Sequence, residues 1–177
     1  MKTEKKNEQA GLTRSLFVFL FTIISFCSFG QTPTDTLPGD PGSITVYTIQ
    51  NMSFGAFHPG ASGGSVLISA TGSRSVTGAV VPLNLGIPYF QAVFEVEAPA
   101  GTIVSILNGP NATLTGSNGG TMSLQINSSA PASPFSTVVP PPGRTQVNIA
   151  GTLTVGTPQV TLPGTYSGTF FITFNQE

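Results

Sequence analysis

Glu95 and Glu97 are two carboxylates only two positions apart in the chain, a spacing that raises the question of shared chemistry. Paired carboxylates act as acid and base in glycoside hydrolysis, where they face each other across a cleft. Two positions apart on a strand, however, they point the same way, and a solvated strand face is the simpler reading. His58 is the only histidine, and it precedes Pro59 in a turn-rich segment. One histidine without a cysteine partner cannot build a usual zinc site, so His58 is read as a turn or surface residue. Serine is abundant, but none is read as a nucleophile elbow, and the only base on offer is His58. Asp35 and Asp40 lack the spacing of a calcium loop. The glycine pairs Gly63-Gly64 and Gly119-Gly120 are followed by neither a helix nor a lysine, so they do not describe a phosphate cradle. Asn51, Asn111 and Asn127 each begin a glycosylation triplet, a cheap match in a chain this rich in Asn, Ser and Thr. The expectation is therefore a non-enzymatic protein with no catalytic residue, no metal and no cofactor.

The elements that would position these residues are strands. Val147, Ile149, Leu153 and Val155 share one face of a strand, with Gly151 among them. Gln146, Asn148, Thr152 and Thr154 take the other. Tyr166, Phe170, Ile172 and Phe174 continue the alternation after a Pro/Gly-containing connection, so Arg144–Phe174 reads as two long strands joined by a tight link. Alternation of period two gives each strand one buried and one wet face. Phe90, Ala92, Phe94 and Val96 alternate with Gln91, Glu95 and Glu97. Met122, Leu124 and Ile126 alternate with Ser123, Gln125 and Asn127. Thr102–Leu107 is apolar on both faces, as a central strand would be. Val76–Leu85 reads as a strand placed at an edge or bend by Pro82. Ser65–Ala70 and Ala112–Thr115 read as short strands, and Ser128–Gly143 as a long loop with a brief edge strand at Phe135–Val139. Turn signals such as Thr71-Gly72-Ser73 and Asn118-Gly119-Gly120 recur about every eight to twelve residues, the pattern of an all-β sandwich or barrel.

The first thirty residues have a different character. Lys2, Lys5, Lys6 and Arg14 precede an apolar run from Leu16, and Ser28-Phe29-Gly30 ends it with small residues in the first and third places. These are the parts of a secretory signal peptide, with cleavage expected between Gly30 and Gln31. The run is about 13 residues, against the roughly 20 that a spanning helix needs. Phe26 directly before Cys27 argues against lipidation. The expected protein is thus secreted or cell-surface, exported through the periplasm, with no membrane span after cleavage. Residues 31–43 read as a flexible lead and 44–177 as one domain.

After cleavage Arg74 and Arg144 stand against Asp35, Asp40, Glu95, Glu97 and Glu177, two basic residues against five acids and a net charge of −3. Nucleic-acid binding, which needs many Lys and Arg contacts to phosphate, is not expected. The one cysteine leaves with the signal, so apolar burial and sheet hydrogen bonds must hold the fold. A surface of Ser, Thr, Asn, Gln and Gly gives little protection against edge-to-edge association.

Two blocks, Met52–Ser75 (MSFGAFHPGASGGSVLISATGSRS) and Gly151–Phe174 (GTLTVGTPQVTLPGTYSGTFFITF), together with the strand around Phe90–Val96, resemble the small secreted bacterial β-domains catalogued as domain of unknown function 4402. Members are usually grouped with pilin and adhesin subunits of the chaperone–usher kind. The resemblance implies an immunoglobulin-like antiparallel β-sandwich and a structural role, with self-association or other fibre subunits as partners and a periplasmic chaperone and usher behind them. It brings no catalytic residues. It also directs attention to strand addition, in which one chain's extended segment completes a neighbour's open sheet. The candidate donor is Ser43–Gln50, through Ile44, Val46, Tyr47 and Ile49. Ile44 and Val46 fall on one face, Tyr47 and Ile49 near the other. The candidate acceptor edge is Tyr166, Phe170, Ile172 and Phe174, because no later strand is seen to cover them. A monomeric carbohydrate- or surface-binding module is the alternative, although three tyrosines and no tryptophan make a thin sugar platform.

Overall fold

The computed structural model describes residues 42–177. The expected signal peptide, residues 1–30, and all but the last two residues of the expected lead lie outside the described residues.

Every regular element described is a strand. The chain opens with β1 (Thr45–Gln50), β2 (Ser53–Phe54), β3 (Phe57–His58), β4 (Gly64–Ile68) and β5 (Arg74–Gly78). Next come β6 (Val81–Pro82), β7 (Tyr89–Phe90), β8 (Ala92–Glu97), β9 (Ile103–Asn108) and β10 (Ala112–Gly116). The last five are β11 (Thr121–Ala130), β12 (Phe135–Ser136), β13 (Thr145–Val155), β14 (Tyr166–Ser167) and β15 (Ile172–Gln176). All of their ladders are antiparallel.

β13 is the spine. Along one edge it pairs with β11; along the other it pairs first with β8 and then, past Ala150, with β4. The large sheet runs β1-β8-β13-β11-β10-β14, with β4 and β5 as a side branch. Val147, Ile149, Leu153 and Val155 are buried, as their alternation predicts, and Gln146 and Thr154 on the opposite face are exposed. Burying one such aliphatic side chain is worth about 1.5–3 kcal/mol, so this row contributes much of the core. β11 supplies Met122, Leu124 and Ile126 beside it. It also runs to Ala130, three residues into the stretch expected to be loop, after a bulge opposite Ala150.

A second sheet, β12-β9-β15, shares that core through Val104, Phe135, Ile106, Ile172 and Phe174. Phe94 of the large sheet meets Phe174 of the small one at a ring-centroid distance of 5.6 Å. β9 is central in its sheet, as expected, but only Val104 and Ile106 turn inward. Ile103 and Leu107 on its other face are exposed, so the strand is apolar on two faces without being covered on both.

Two expected strands are divided. Arg144–Phe174 is not a hairpin: β14 joins β10 in the large sheet, and β15 joins β9 in the small one. The alternation survives because both sheets turn these side chains toward one shared core. Gly168 sits where the chain changes sheets, and a Cβ there would meet the Thr113 carbonyl oxygen at 2.5 Å. Val76–Leu85 is also interrupted. β5 ends at Gly78, whose φ of +64° favours glycine and whose Cβ position lies 2.6 Å from the Gly63 carbonyl oxygen.

Candidate strand-binding groove

The inner face of the large sheet is not fully covered. Leu114, Met122, Leu124 and Leu153 form the floor of a groove of about 730 Å³. Such a volume is in the usual range for a binding cleft. One flank is the segment Asn51–Phe57 with Leu83, Leu85 and Ile87; the other is Thr161–Phe170. No charged side chain lines it.

Each flank is held by local chemistry. On the first, β2 pairs with β7 and β3 with β6, tying residues 53–58 to 81–90. The Ser53 hydroxyl donates to the Pro88 carbonyl at 2.8 Å. Arg74 reaches across from β5, and its Nη1 donates to the carbonyls of Phe54 and Ala56 at 3.2 Å each. The same guanidinium lies 4.4 Å from the centroid of the Tyr89 ring. On the second flank, the Tyr166 hydroxyl donates to the Leu162 carbonyl at 2.8 Å, and the Gly156 amide donates to Thr161 Oγ1 at 3.0 Å. The Tyr166 ring lies so close to Gly116 that a Cβ there would meet it at 2.7 Å.

The four residues expected to form an acceptor edge are separated. Tyr166 and Phe170 line the groove; Ile172 and Phe174 lie on β15, at the margin of the small sheet, and pack into the core. The expected donor residues are seated in the chain's own large sheet. Val46 pairs with Val96 and Tyr47 with Glu95, Ile44 packs on the core, and Ile49 is half exposed at a bulge. Val46 and Tyr47 face opposite sides, and the register fixes which. Val46 shares the inner face with Phe94, whereas Tyr47 shares the outer face with Glu95.

That outer face holds the one charged cluster described. Arg144 pairs with Glu95 and with Glu97, each at 3.2 Å, and stacks over Tyr47. The hydrogen bonds that the guanidinium donates to Glu95 and to Glu97, in that order of effect, hold the Arg144 pKa above its ordinary value. Both carboxylates are thereby engaged on a solvated strand face. His58 is exposed on β3. Among the described residues no three His, Cys, Asp or Glu side chains gather as a metal site. Contrary to expectation, one serine does have the spacing of a nucleophile elbow, in Gly60-Ala61-Ser62-Gly63-Gly64. An elbow stands between a strand and a helix. Ser62 is exposed on a turn that leads into β4, another strand.

The sequence reading missed the groove because its floor comes from three strands that it judged separately. It also stopped at Leu85, although the alternation Val81, Leu83, Leu85, Ile87, Tyr89 continues to β7. No helix among the described residues is long and apolar enough to cross a membrane. Searches of curated proteins and of solved structures give no match. A family model matches residues 44–175, from just before β1 to the last strand. The chain therefore belongs to the family described as domain of unknown function (DUF4402).

Proposed function

We propose that this chain is a secreted, non-enzymatic structural subunit of a surface fibre or adhesive layer, assembled by strand addition. The observation that carries the reading is the uncharged apolar groove beside Phe170, close to the start of the small sheet's marginal strand β15. An extended segment laid there finds pockets for alternate side chains, and a marginal strand offers unpaired backbone groups. In this reading the fold is an immunoglobulin-like sandwich, the donor is Ser43–Gln50 of another subunit, and a periplasmic chaperone and usher handle the subunit before assembly. Because β1 is seated on β8, donation requires that strand to leave its own sheet before it enters a neighbour's groove. The test compares the chain from Gln31 with one lacking residues 31–50. The longer chain forms polymers; the shorter stays soluble and binds a Ser43–Gln50 peptide. A shortened chain that still polymerises removes the donor assignment.

The five residue pairs between β1 and β8 favour a second reading, a monomeric surface- or carbohydrate-binding module that uses the same groove. A sharp monomer that unfolds cooperatively with no added strand would support it over the first.

A further inference from the structure

Gly151 lies within β13, with Ile149 and Leu153 as its neighbours on the inward face, so its missing side chain leaves a hollow in the buried row. Met52 fills that hollow. A Cβ at Gly151 would meet Met52 Sδ at 2.6 Å and Cε at 2.9 Å, with Leu124 Cδ1 next at 3.2 Å. Met52, Leu124 and Leu153 line the groove, whereas Gly151 beneath the thioether does not. The hollow is therefore a socket in the groove floor, and its occupant is one of the chain's own side chains. Met52 belongs to no ladder. It falls between β1 and β2, two residues after Gln50 and one before Ser53. Gln50 ends β1, where its Nε2 donates to the Gln91 carbonyl at 2.8 Å. From Ser53 onward the flank is tied elsewhere, to residues 81–90 and to Arg74. If β1 leaves β8, the flank keeps its ties and Met52 loses its anchor on one side. An unbranched thioether is also adaptable enough to leave such a hollow.

We infer that Met52 plugs this socket and that an incoming strand fills it with an apolar side chain of its own, so that a seated β1 and an occupied groove oppose each other. The inference rests on the groove being the strand-accepting site, and it gives that site a regulator. A socket left by one glycine holds one side chain at a time. An uncharged strand with an aliphatic residue at that position expels Met52, and the displacement passes through Asn51 to the end of β1. Such coupling is reciprocal: release of β1 favours strand binding by the same factor as strand binding favours release. A chain with an empty groove keeps its own donor seated, and a chain that has accepted a strand gives its donor up more readily. Growth is thereby favoured at subunits already incorporated over free ones.

Calorimetric titration of the chain from Gln31 with the Ser43–Gln50 peptide, combined with amide exchange, tests it. Met52→Ala empties the socket and binds the peptide at least about fivefold more tightly than the wild type, the low end of ordinary coupling between sites. Met52→Leu refills the socket and returns the affinity toward that of the wild type. Met52→Val, a shorter plug, gives an intermediate gain and serves where the alanine chain does not fold. In the wild-type chain, saturating peptide speeds amide exchange at Thr48–Gln50 and leaves β11 unchanged; in Met52→Ala it leaves β1 unchanged as well. Were Met52 only a wall of the groove, truncating it would weaken binding. Equal or weaker binding by the alanine and valine chains, a wild-type β1 whose exchange the peptide does not speed, or a β1 response that persists in Met52→Ala overturns the inference and leaves the groove reading in place. No peptide binding by any of the four chains ends the groove reading, and the inference with it.

Discussion

The guanidinium of Arg144 lies 3.7 Å from the centroid of the Tyr47 ring. Arg144 precedes β13, Tyr47 is in β1, and the two carboxylates that Arg144 also grips are in β8 between them. One side chain thus bridges the three strands at the margin of the large sheet. Replacing it with alanine should leave the core intact and loosen β1 alone. Amide exchange across Thr45–Gln50 should rise while exchange across β11 stays unchanged. Added salt should weaken the wild-type protection, because solvated ion pairs are screened. The pH effect has a definite sign. The Arg144 pKa is raised on folding, so its contribution is complete at neutral pH and is lost only as pH climbs through that raised value. Protection of β1 should therefore hold from neutral to mildly alkaline solution.

Arg74 does comparable work inside the groove flank, where it donates to two carbonyls of the Phe54–Ala56 segment. Arg74→Met keeps the length of the side chain and removes both donors. It should cost about 1–3 kcal/mol in chemical denaturation, the usual range for hydrogen bonds from a charged group. It should also weaken peptide binding at the groove more than Arg144→Ala does.

Thr137 is buried and holds the turn between the sheets. Its hydroxyl donates to the Pro99 carbonyl at 2.6 Å and accepts the Thr102 amide at 3.1 Å. Thr137→Val preserves the shape and removes both bonds, but the Thr102 amide keeps its 3.2 Å bond to the Pro99 carbonyl, so a loss of only about 0.5–1.5 kcal/mol is expected. Thr137→Ser should recover most of it. Equal losses from valine and serine would point to packing instead.

Gly151 faces the core between Ile149 and Leu153. A Cβ there would meet Met52 Sδ at 2.6 Å and Leu124 Cδ1 at 3.2 Å, both on flexible side chains. Gly151→Ala should be close to neutral, since Met52 can turn into the groove and a strand gains from losing a glycine. Gly151→Val should cost about 1–3 kcal/mol through overpacking. Both variants should bind the Ser43–Gln50 peptide less well, because Met52 is displaced into its path.

The two long strands of the core were legible in the sequence because a strand's burial depends on little beyond period two. Leu124 and Leu153 announce themselves in this way, and the structure pairs them directly. The partition of strands between sheets was not legible. Tyr166 and Phe174 lie on one unbroken alternation, yet they belong to different sheets, because a shared core asks for the same pattern from both. The close approach that permits the change of sheet is recorded only as a glycine, Gly168, among twenty others. The groove was hidden for a related reason. Leu114, Met122, Leu124 and Leu153 look like core residues, and they are; what leaves space above them is the path of the segments at 51–57 and 161–170.

β1 and β15 belong to different sheets and share no hydrogen bond. Tension applied through these two strands would load two separate ladders, β1 on β8 and β15 on β9. Each would have to be parted on its own, as two fasteners in series on one apolar mount. The fastener at β1 has Arg144 drawn across it.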